Sequence, residues 1–277
     1  MAQRSLPAET PAEDAVRLTV GMAGGGNGAG VIGERLPVNP VAEEETWLMA
    51  AVDGEGASDA GAEVVSTLRN ELSSATGEDA GAALKQAFRQ ANVALYQKGQ
   101  GRHVASAVTL YARGKYATVA SVGTGRAYLV RAGRLNQITR DPVSIQSRSA
   151  TGDGASQEKP AVALLGARDR LDSRQPAIYE ITLLPEDRLL LCTAEVFSNA
   201  DDAHLLSGLS TGDATTSASA LVPVGNLAVA VVATVAAARV RQPVIVPAGG
   251  RPSYLPLIAA VILIAIIVAA LYFTGTI

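Results

Sequence analysis

The most constraining feature of the sequence is an apolar run from Leu255 to Phe273. Its 19 residues carry no charged side chain, and only Pro256 interrupts the run near its start. At about 1.5 Å of rise per residue, a helix of this length crosses a hydrocarbon core of roughly 30 Å. A buried core helix of the same length normally keeps a polar stripe, and this run has none. The run therefore predicts a membrane-spanning helix over residues 254–274, followed by a short tail at 275–277.

The charges beside the run predict its orientation. From residue 214 onward the only charged side chains are Arg239, Arg241 and Arg251, and all three precede the run. Basic flanks of a membrane span remain in the cytoplasm. We therefore expect a single-pass membrane protein, with the bulk of the chain in the cytoplasm and the lipid bilayer as a partner of residues 254–274.

The remaining composition excludes several classes of protein. A single cysteine, Cys192, cannot form an internal disulfide, so a disulfide-stabilised secreted scaffold is excluded. The 23 basic and 26 acidic residues give a net charge of −3, which offers no basic field for nucleic acid. Composition predicts a disordered leader at 1–15, one domain at 16–238 and a linker rich in proline and glycine at 239–253.

Local patterns predict an α+β domain. Short β-branched runs bounded by glycine, aspartate or proline are typical of strands. They lie at 17–23, 47–52, 106–112, 117–122, 126–131, 177–183, 188–192 and 227–235. Helical spacing of apolar residues predicts one helix at 60–72, after Ser58 as a candidate N-cap, and a second helix around Leu84, Phe88 and Leu95. We expect this helix pair to pack on one sheet.

Six blocks along the domain carry a resemblance to a known family. They are Ala51–Ser58 (AVDGEGAS), Ser121–Leu129 (SVGTGRAYL), Leu135–Asp141 (LNQITRD), Ala163–Gly166 (ALLG), Pro185–Glu195 (PEDRLLLCTAE) and Val224–Val229 (VGNLAV). In this order they resemble the motifs of the metal-dependent protein phosphatases of the PPM type, the type 2C serine/threonine phosphatases. The resemblance implies a β-sandwich of two antiparallel sheets flanked by helix pairs.

The resemblance also implies a chemistry. In this family carboxylates hold two magnesium or manganese ions, which activate a bridging water to attack the phosphate of phosphoserine or phosphothreonine. Asp53 matches the aspartate that bridges the metals, and Gly54 matches the glycine whose carbonyl is a ligand.

Departures from the family pattern decide what we expect of the site. Thr124, Ala194 and Gly225 stand where the family has aspartates, and Ser58 stands where it has a histidine. Spacing places the family's first motif, N-E-D, at Gly33-Glu34-Arg35, which puts Arg35 where a metal-linked aspartate belongs. A single retained carboxylate cannot hold a dinuclear centre, so we expect no cofactor.

Two compensations remain open in the sequence. Glu34, Glu55 and Glu195 are adjacent to family positions and offer substitute carboxylates, in which case magnesium or manganese would still bind. Arg35 offers a fixed positive charge that holds a phosphate or carboxylate with two hydrogen bonds.

The sequence therefore predicts a membrane-anchored pseudophosphatase of bacterial type. It would act as a binding or regulatory module in Ser/Thr phosphorylation signalling, with a phosphoprotein or a kinase-pathway protein as partner and no nucleic acid. One alternative is a divergent active metal-dependent protein serine/threonine phosphatase. A second alternative is a structural partner domain of a membrane assembly.

Overall fold

The structure is a computed structural model that describes residues 16–37, 45–75, 79–141, 162–222 and 228–238. Within these ranges the chain forms ten strands and five helices. The strands are β1 (Val16–Gly24), β2 (Gly30–Arg35), β3 (Thr46–Glu55), β4 (Val104–Arg113), β5 (Tyr116–Val122), β6 (Arg126–Arg131), β7 (Arg134–Gln137), β8 (Ala177–Thr182), β9 (Arg188–Cys192) and β10 (Val229–Ala237). The helices are α1 (Ala60–Ser73), α2 (Ala80–Gly99), α3 (Ala194–Ser198), α4 (Asp202–Ser210) and α5 (Ala214–Leu221).

The strands form two antiparallel sheets of five strands each. The order in the first sheet is β2-β3-β4-β5-β8, and the order in the second is β1-β10-β9-β6-β7. Strand β10 pairs with β1 on one side and with β9 on the other. Its sequence of valine and alanine suits this central position, because small and β-branched side chains pack well on both faces of a buried strand.

Apolar side chains fill three layers of the domain. The layer between the sheets includes Met49, Leu110, Val119, Leu189 and Val231. Helices α1 and α2 cover the outer face of the first sheet with Val64, Leu68, Leu84, Phe88 and Leu95. Helices α4 and α5 cover the second sheet with Leu205, Leu209 and Leu221. Full burial of each large apolar side chain contributes about 1.5–3 kcal/mol, so these layers hold the sandwich together.

The predicted β-sandwich with flanking helices is confirmed. Each predicted strand corresponds to an observed strand, and both predicted helices form. Helix α1 begins at Ala60 as predicted, but its N-cap is Asp59 rather than Ser58, and that cap makes no side-chain hydrogen bond. Strands β2 and β7 and the helices α3–α5 were not anticipated by the sequence patterns.

Two segments with the composition of loops differ from what that composition suggests. A glycine-rich segment after a strand is typical of a hairpin, but segment 24–28 joins β1 and β2, which lie in different sheets. The Ser/Thr-rich stretch 210–219 is typical of a loop by composition, whereas much of it lies in α5. Asp213 caps α5 by accepting a hydrogen bond from the Thr216 amide at 2.8 Å, which offsets the poor helix propensity of serine and threonine.

Several predicted regions lie outside the described residues. They are the leader at 1–15, the linker at 239–253, the membrane span at 254–274 and the tail at 275–277. Among the residues that the structure describes, none of the helices is long and apolar enough to cross a membrane.

Candidate functional site

The candidate site lies at one end of the first sheet, where three neighbouring positions form a row. Asp53, near the end of β3, is paired in register with Ser106 of β4. The Ser106 hydroxyl lies 3.3 Å from the Thr124 hydroxyl and accepts a hydrogen bond from the Thr124 amide at 3.3 Å. Thr124 therefore occupies the site as the family pattern implies, but its hydroxyl is engaged by a neighbouring side chain.

Three carboxylates interact electrostatically at this end of the sandwich. Burial of Asp53, together with the negative charges of Glu195 and Glu55, raises the pKa of Asp53 to about 6. Glu195 lies in the first turn of α3, which follows β9 of the second sheet. Its Oε2 atom is buried and has no hydrogen-bond partner. Of the substitute carboxylates expected from the sequence, the structure thus brings Glu55 and Glu195 towards Asp53.

The Gly54 carbonyl is covered by the loop that follows β1. A Cβ atom at Gly28 would lie 2.1 Å from the Gly54 oxygen, and Gly28 has a φ of +91°. The Gly28 amide donates to the Ser58 carbonyl at 2.9 Å, and the Gly28 carbonyl accepts from the Gly61 amide at 2.9 Å. Only glycine fits at position 28, and the loop presses its backbone against the residue that the family uses as a ligand.

Of the remaining family positions, those that the structure describes supply no metal ligand. Ala194 is the first residue of α3 and offers only a methyl group. The Ser58 side chain lies in an exposed turn, and its backbone carbonyl is used by Gly28. Gly225 lies outside the described residues.

Glu34 and Arg35 do not lie beside Asp53, and the expectation that they do is corrected. In the β2–β3 register, Gly30 pairs with Val52 next to Asp53, whereas Arg35 pairs with Trp47. Five residues of strand separate these positions by about 17 Å, since each residue adds about 3.3 Å. Arg35 pairs with Glu45 at 3.1 Å, and Glu34 pairs with Arg69 of α1 at 2.6 Å.

The segment beside Asp53-Gly54 is Asn27-Gly28-Ala29, six residues before the one that spacing selected. A count along the sequence missed it because the chain between this segment and Asp53 is six residues longer than the spacing assumed. Asn27 matches the first letter of N-E-D, and Gly28 and Ala29 stand where its acidic residues would be. The backbone contacts of Gly28 with Gly54, Ser58 and Gly61 locate this segment beside Asp53.

An arginine at the edge of the site was also missed by sequence reasoning. Arg126 forms two hydrogen bonds of 2.7 Å with the carboxylate of Asp141, and its guanidinium lies 3.8 Å from the centroid of the Phe197 ring. The Arg126 side chain also donates to the Tyr128 hydroxyl at 3.1 Å. These contacts fix the guanidinium between β6 and α3 and lower the pKa of Asp141.

These donors do not fit a dinuclear metal centre. A search of the described residues finds no group of three or more histidine, cysteine, aspartate or glutamate side chains arranged to hold a metal ion. The Thr124 hydroxyl interacts with the Ser106 hydroxyl, and Gly28 packs against the Gly54 carbonyl. The Ala194 side chain has no atom that could bind a metal ion. Hard divalent cations need six or more oxygen ligands each, and among the described residues the three carboxylates of Asp53, Glu55 and Glu195 supply too few protein ligands for two such ions.

Comparison with known proteins agrees with this architecture. Residues 37–142, which include the Asp53 motif and the Thr124 motif, match the family model for protein phosphatase 2C. The domain has the protein phosphatase 2C fold. A comparison with curated protein sequences found no match.

Solved structures with this fold superpose on most of the chain. PppA, described as a key regulatory component of T6SS in Pseudomonas aeruginosa, aligns with a TM-score of 0.60 and 23% identity over 80% of this chain and 98% of PppA. The catalytic domain of the serine threonine protein phosphatase PstP, in complex with two manganese ions, aligns with a TM-score of 0.58 and 22% identity. The alignment covers 79% of this chain and 100% of the PstP domain. The S. agalactiae serine/threonine phosphatase aligns with a TM-score of 0.59 and 15% identity, over 80% of this chain and 100% of that phosphatase.

A cavity of about 540 Å³ lies elsewhere in the domain. Its lining includes Tyr111, Arg113, Tyr116, Thr118 and Glu180. These residues lie at the far end of the first sheet, since Arg113 pairs with Thr46 while Ser106 pairs with Asp53. The cavity therefore does not belong to the candidate site.

Proposed function

We propose that this chain is a catalytically inactive phosphatase 2C domain that binds a protein of a Ser/Thr phosphorylation pathway. The observation that carries the proposal is the surroundings of Asp53: the hydroxyl of Thr124 is bonded to Ser106, and Gly28 packs against the Gly54 carbonyl. Phosphoryl transfer depends almost wholly on positioning and charge stabilisation. A site that cannot assemble two cations loses both the nucleophile and that stabilisation.

The electrostatics of the candidate site indicate which segment of a partner it binds. Without cations, the carboxylates of Asp53, Glu55 and Glu195 form a negative cluster, and the partial burial of Asp53 strengthens its field. A phosphate group is repelled by this cluster, whereas a lysine or arginine side chain is attracted. The candidate site therefore favours a basic segment, such as the sequence around a phosphorylation site before it is phosphorylated.

Binding of a matched pair of peptides tests this function. We would measure the fluorescence anisotropy of a labelled Arg-Arg-Ala-Thr-Val-Ala peptide and of its phosphothreonine form with the full chain, in EDTA. The unphosphorylated peptide is expected to bind more tightly, and Glu195→Gln to weaken it. Tighter binding of the phosphorylated form, or no effect of Glu195→Gln, contradicts the proposal.

Membrane attachment is the second part of the proposal. The apolar run at 254–274 and the basic residues before it support a single-pass membrane protein whose domain lies in the cytoplasm of a bacterial cell. Retention of the full chain in the membrane pellet after a carbonate wash, and release of a chain ended at residue 238, tests this part. Equal release of both chains contradicts it.

One observation favours a divergent active phosphatase as the second candidate. The buried Oε2 atom of Glu195 has no partner, and a cation beside Asp53 would satisfy it. This candidate requires manganese to bind with micromolar affinity in calorimetry and the Glu195→Gln variant to lose that binding. If titration with manganese gives no heat of binding, the chain is not an active phosphatase of this kind.

A further inference from the structure

The chain leaves the phosphatase domain at the end of the sandwich opposite Asp53. Strand β10 begins beside the candidate site, where the Val229 amide donates to the Thr193 hydroxyl at 3.0 Å. It ends at Ala237, which pairs with Val16, the first residue of β1. The residues that follow in the sequence include Arg239 and Arg241 and lead to the apolar run.

Two loops are joined to this exit point by backbone hydrogen bonds. The Glu186 amide donates to the Val235 carbonyl at 2.8 Å, and this hydrogen bond joins the β8–β9 loop to the C-terminal end of strand β10. The Leu183 amide donates to the Lys115 carbonyl at 2.7 Å, which ties the same loop to the β4–β5 hairpin. The exit point, the loop and the hairpin therefore form one continuous end of the domain.

Large apolar side chains are exposed on both loops. Tyr116 is 61% exposed and Leu184 is 45% exposed, although most large apolar residues of the described ranges are buried. The Lys115 ammonium lies 5.7 Å from the centroid of the Tyr116 ring. We call Lys115, Tyr116 and Leu184 the exit surface. An exposed tyrosine and leucine beside a lysine is the composition of surfaces that lie at a membrane interface.

We propose that the exit surface lies against the lipid headgroups and holds the domain on the bilayer, with Asp53 at the opposite end of the domain. This inference rests on the proposed membrane attachment. The exit surface lies at the end of the domain from which the sequence continues to the apolar run. On this inference Tyr116 and Leu184 bury apolar area at the lipid surface and Lys115 meets anionic headgroups.

Quenching by brominated lipid tests the position of the exit surface. The full chain would be reconstituted into nanodiscs of phosphatidylcholine and phosphatidylglycerol, with and without bromine on the acyl chains. In a Trp47→Phe background, which removes the single native tryptophan, a reporter is introduced by Tyr116→Trp or Leu184→Trp. The matched control is Val93→Trp, at a side chain of α2 that is 37% exposed. Circular dichroism checks that each variant is folded.

The expected result is loss of tryptophan fluorescence in brominated discs for both exit-surface variants and unchanged fluorescence for the Val93 variant. Unchanged fluorescence in all three variants, in chains that co-elute with the discs, overturns the inference and leaves membrane attachment standing. A chain that does not co-elute with the discs overturns both. The hydrolysis and peptide-binding measurements do not depend on either outcome, so inactivity of the domain is judged separately.

Discussion

The negative charge of Glu195 raises the pKa of Asp53, although the two residues belong to elements of different sheets. Asp53 belongs to β3 of the first sheet, and Glu195 to the helix that follows β9 of the second. Burial is the main cause of the raised pKa of Asp53, about 6, and the charge of Glu195 is the next. The charged form of Asp53 is therefore disfavoured by its burial and by two neighbouring carboxylates.

Asp53→Asn should stabilise the domain above about pH 6. In the folded chain the pKa of Asp53 is about 6, whereas in the unfolded chain the carboxyl loses its proton near the ordinary aspartate pKa of about 3.9. The charged form therefore costs stability above pH 6, by about 1–2 kcal/mol after allowing for partial exposure. The gain from the substitution shrinks as the pH falls from 6 to 4.

Urea unfolding at pH 4, 6 and 8, followed by the fluorescence of Trp47, measures this difference. Glu180→Gln is the matched control, because Glu180 is exposed at the far end of the first sheet. A gain in the free energy of unfolding that does not depend on pH, or an equal gain in the control, would show that the charge of Asp53 does not destabilise the fold.

Asp187→Asn should destabilise the domain by about 2–3 kcal/mol. The Asp187 side chain is 1% exposed, accepts hydrogen bonds of 2.8 and 2.6 Å from Arg131, and also accepts from the Leu184 amide at 2.8 Å. Removing one partner of a buried ion pair leaves the other uncompensated, although Arg131 is partly exposed and regains some solvation.

The comparison for this prediction is Arg35→Ala, which breaks the exposed pair with Glu45. Exposed pairs contribute about 0–1 kcal/mol, so this variant should unfold close to the wild-type denaturant concentration. Circular dichroism measures both midpoints. Equal losses in the two variants would mean that burial does not distinguish the pairs.

Asn92→Ala should destabilise the domain by about 2–3 kcal/mol. The buried Asn92 side chain accepts from the Gly166 amide at 2.9 Å and donates to the Arg168 carbonyl at 3.1 Å, which fixes the block Ala163–Gly166 on α2. Loss of the side chain leaves a buried amide without a partner. Hydrogen exchange at Gly166 should become faster, while Asn70→Ala, at an exposed site of α1, leaves it unchanged. Slow exchange in Asn92→Ala would contradict this role.

The sequence predicts most of the fold because local patterns and tertiary packing agree. Leu84, Phe88 and Leu95 recur at helical spacing and all face the first sheet. The turns at 112–115 and 131–134 each contain a glycine, Gly114 and Gly133, whose positive φ is typical of a hairpin turn. Strand β2 escaped prediction because Gly30 and Gly33 give it a weak strand propensity. Its pairing with β3 places it in the sheet all the same.

The site was harder to predict because residues far apart in the sequence meet there. Thr124 and Asp53 were matched to the family motifs, and their contact through Ser106 depends on the registers of three strands. Arg35 was placed by counting residues, and the register puts it at the other end of β2. The role of Gly28 depends on a backbone contact between the β1–β2 loop and Gly54 of β3, and a backbone contact leaves no side-chain pattern in the sequence.

Hydrolysis of p-nitrophenyl phosphate in manganese tests the central claim most directly. The rate would be measured for the full chain and for Asp53→Asn at equal concentration. We predict that both rates equal that of buffer containing manganese alone, because the residues around Asp53 do not hold two cations. A manganese-dependent rate in the wild-type chain that Asp53→Asn abolishes would contradict the account and show that this domain is an active phosphatase.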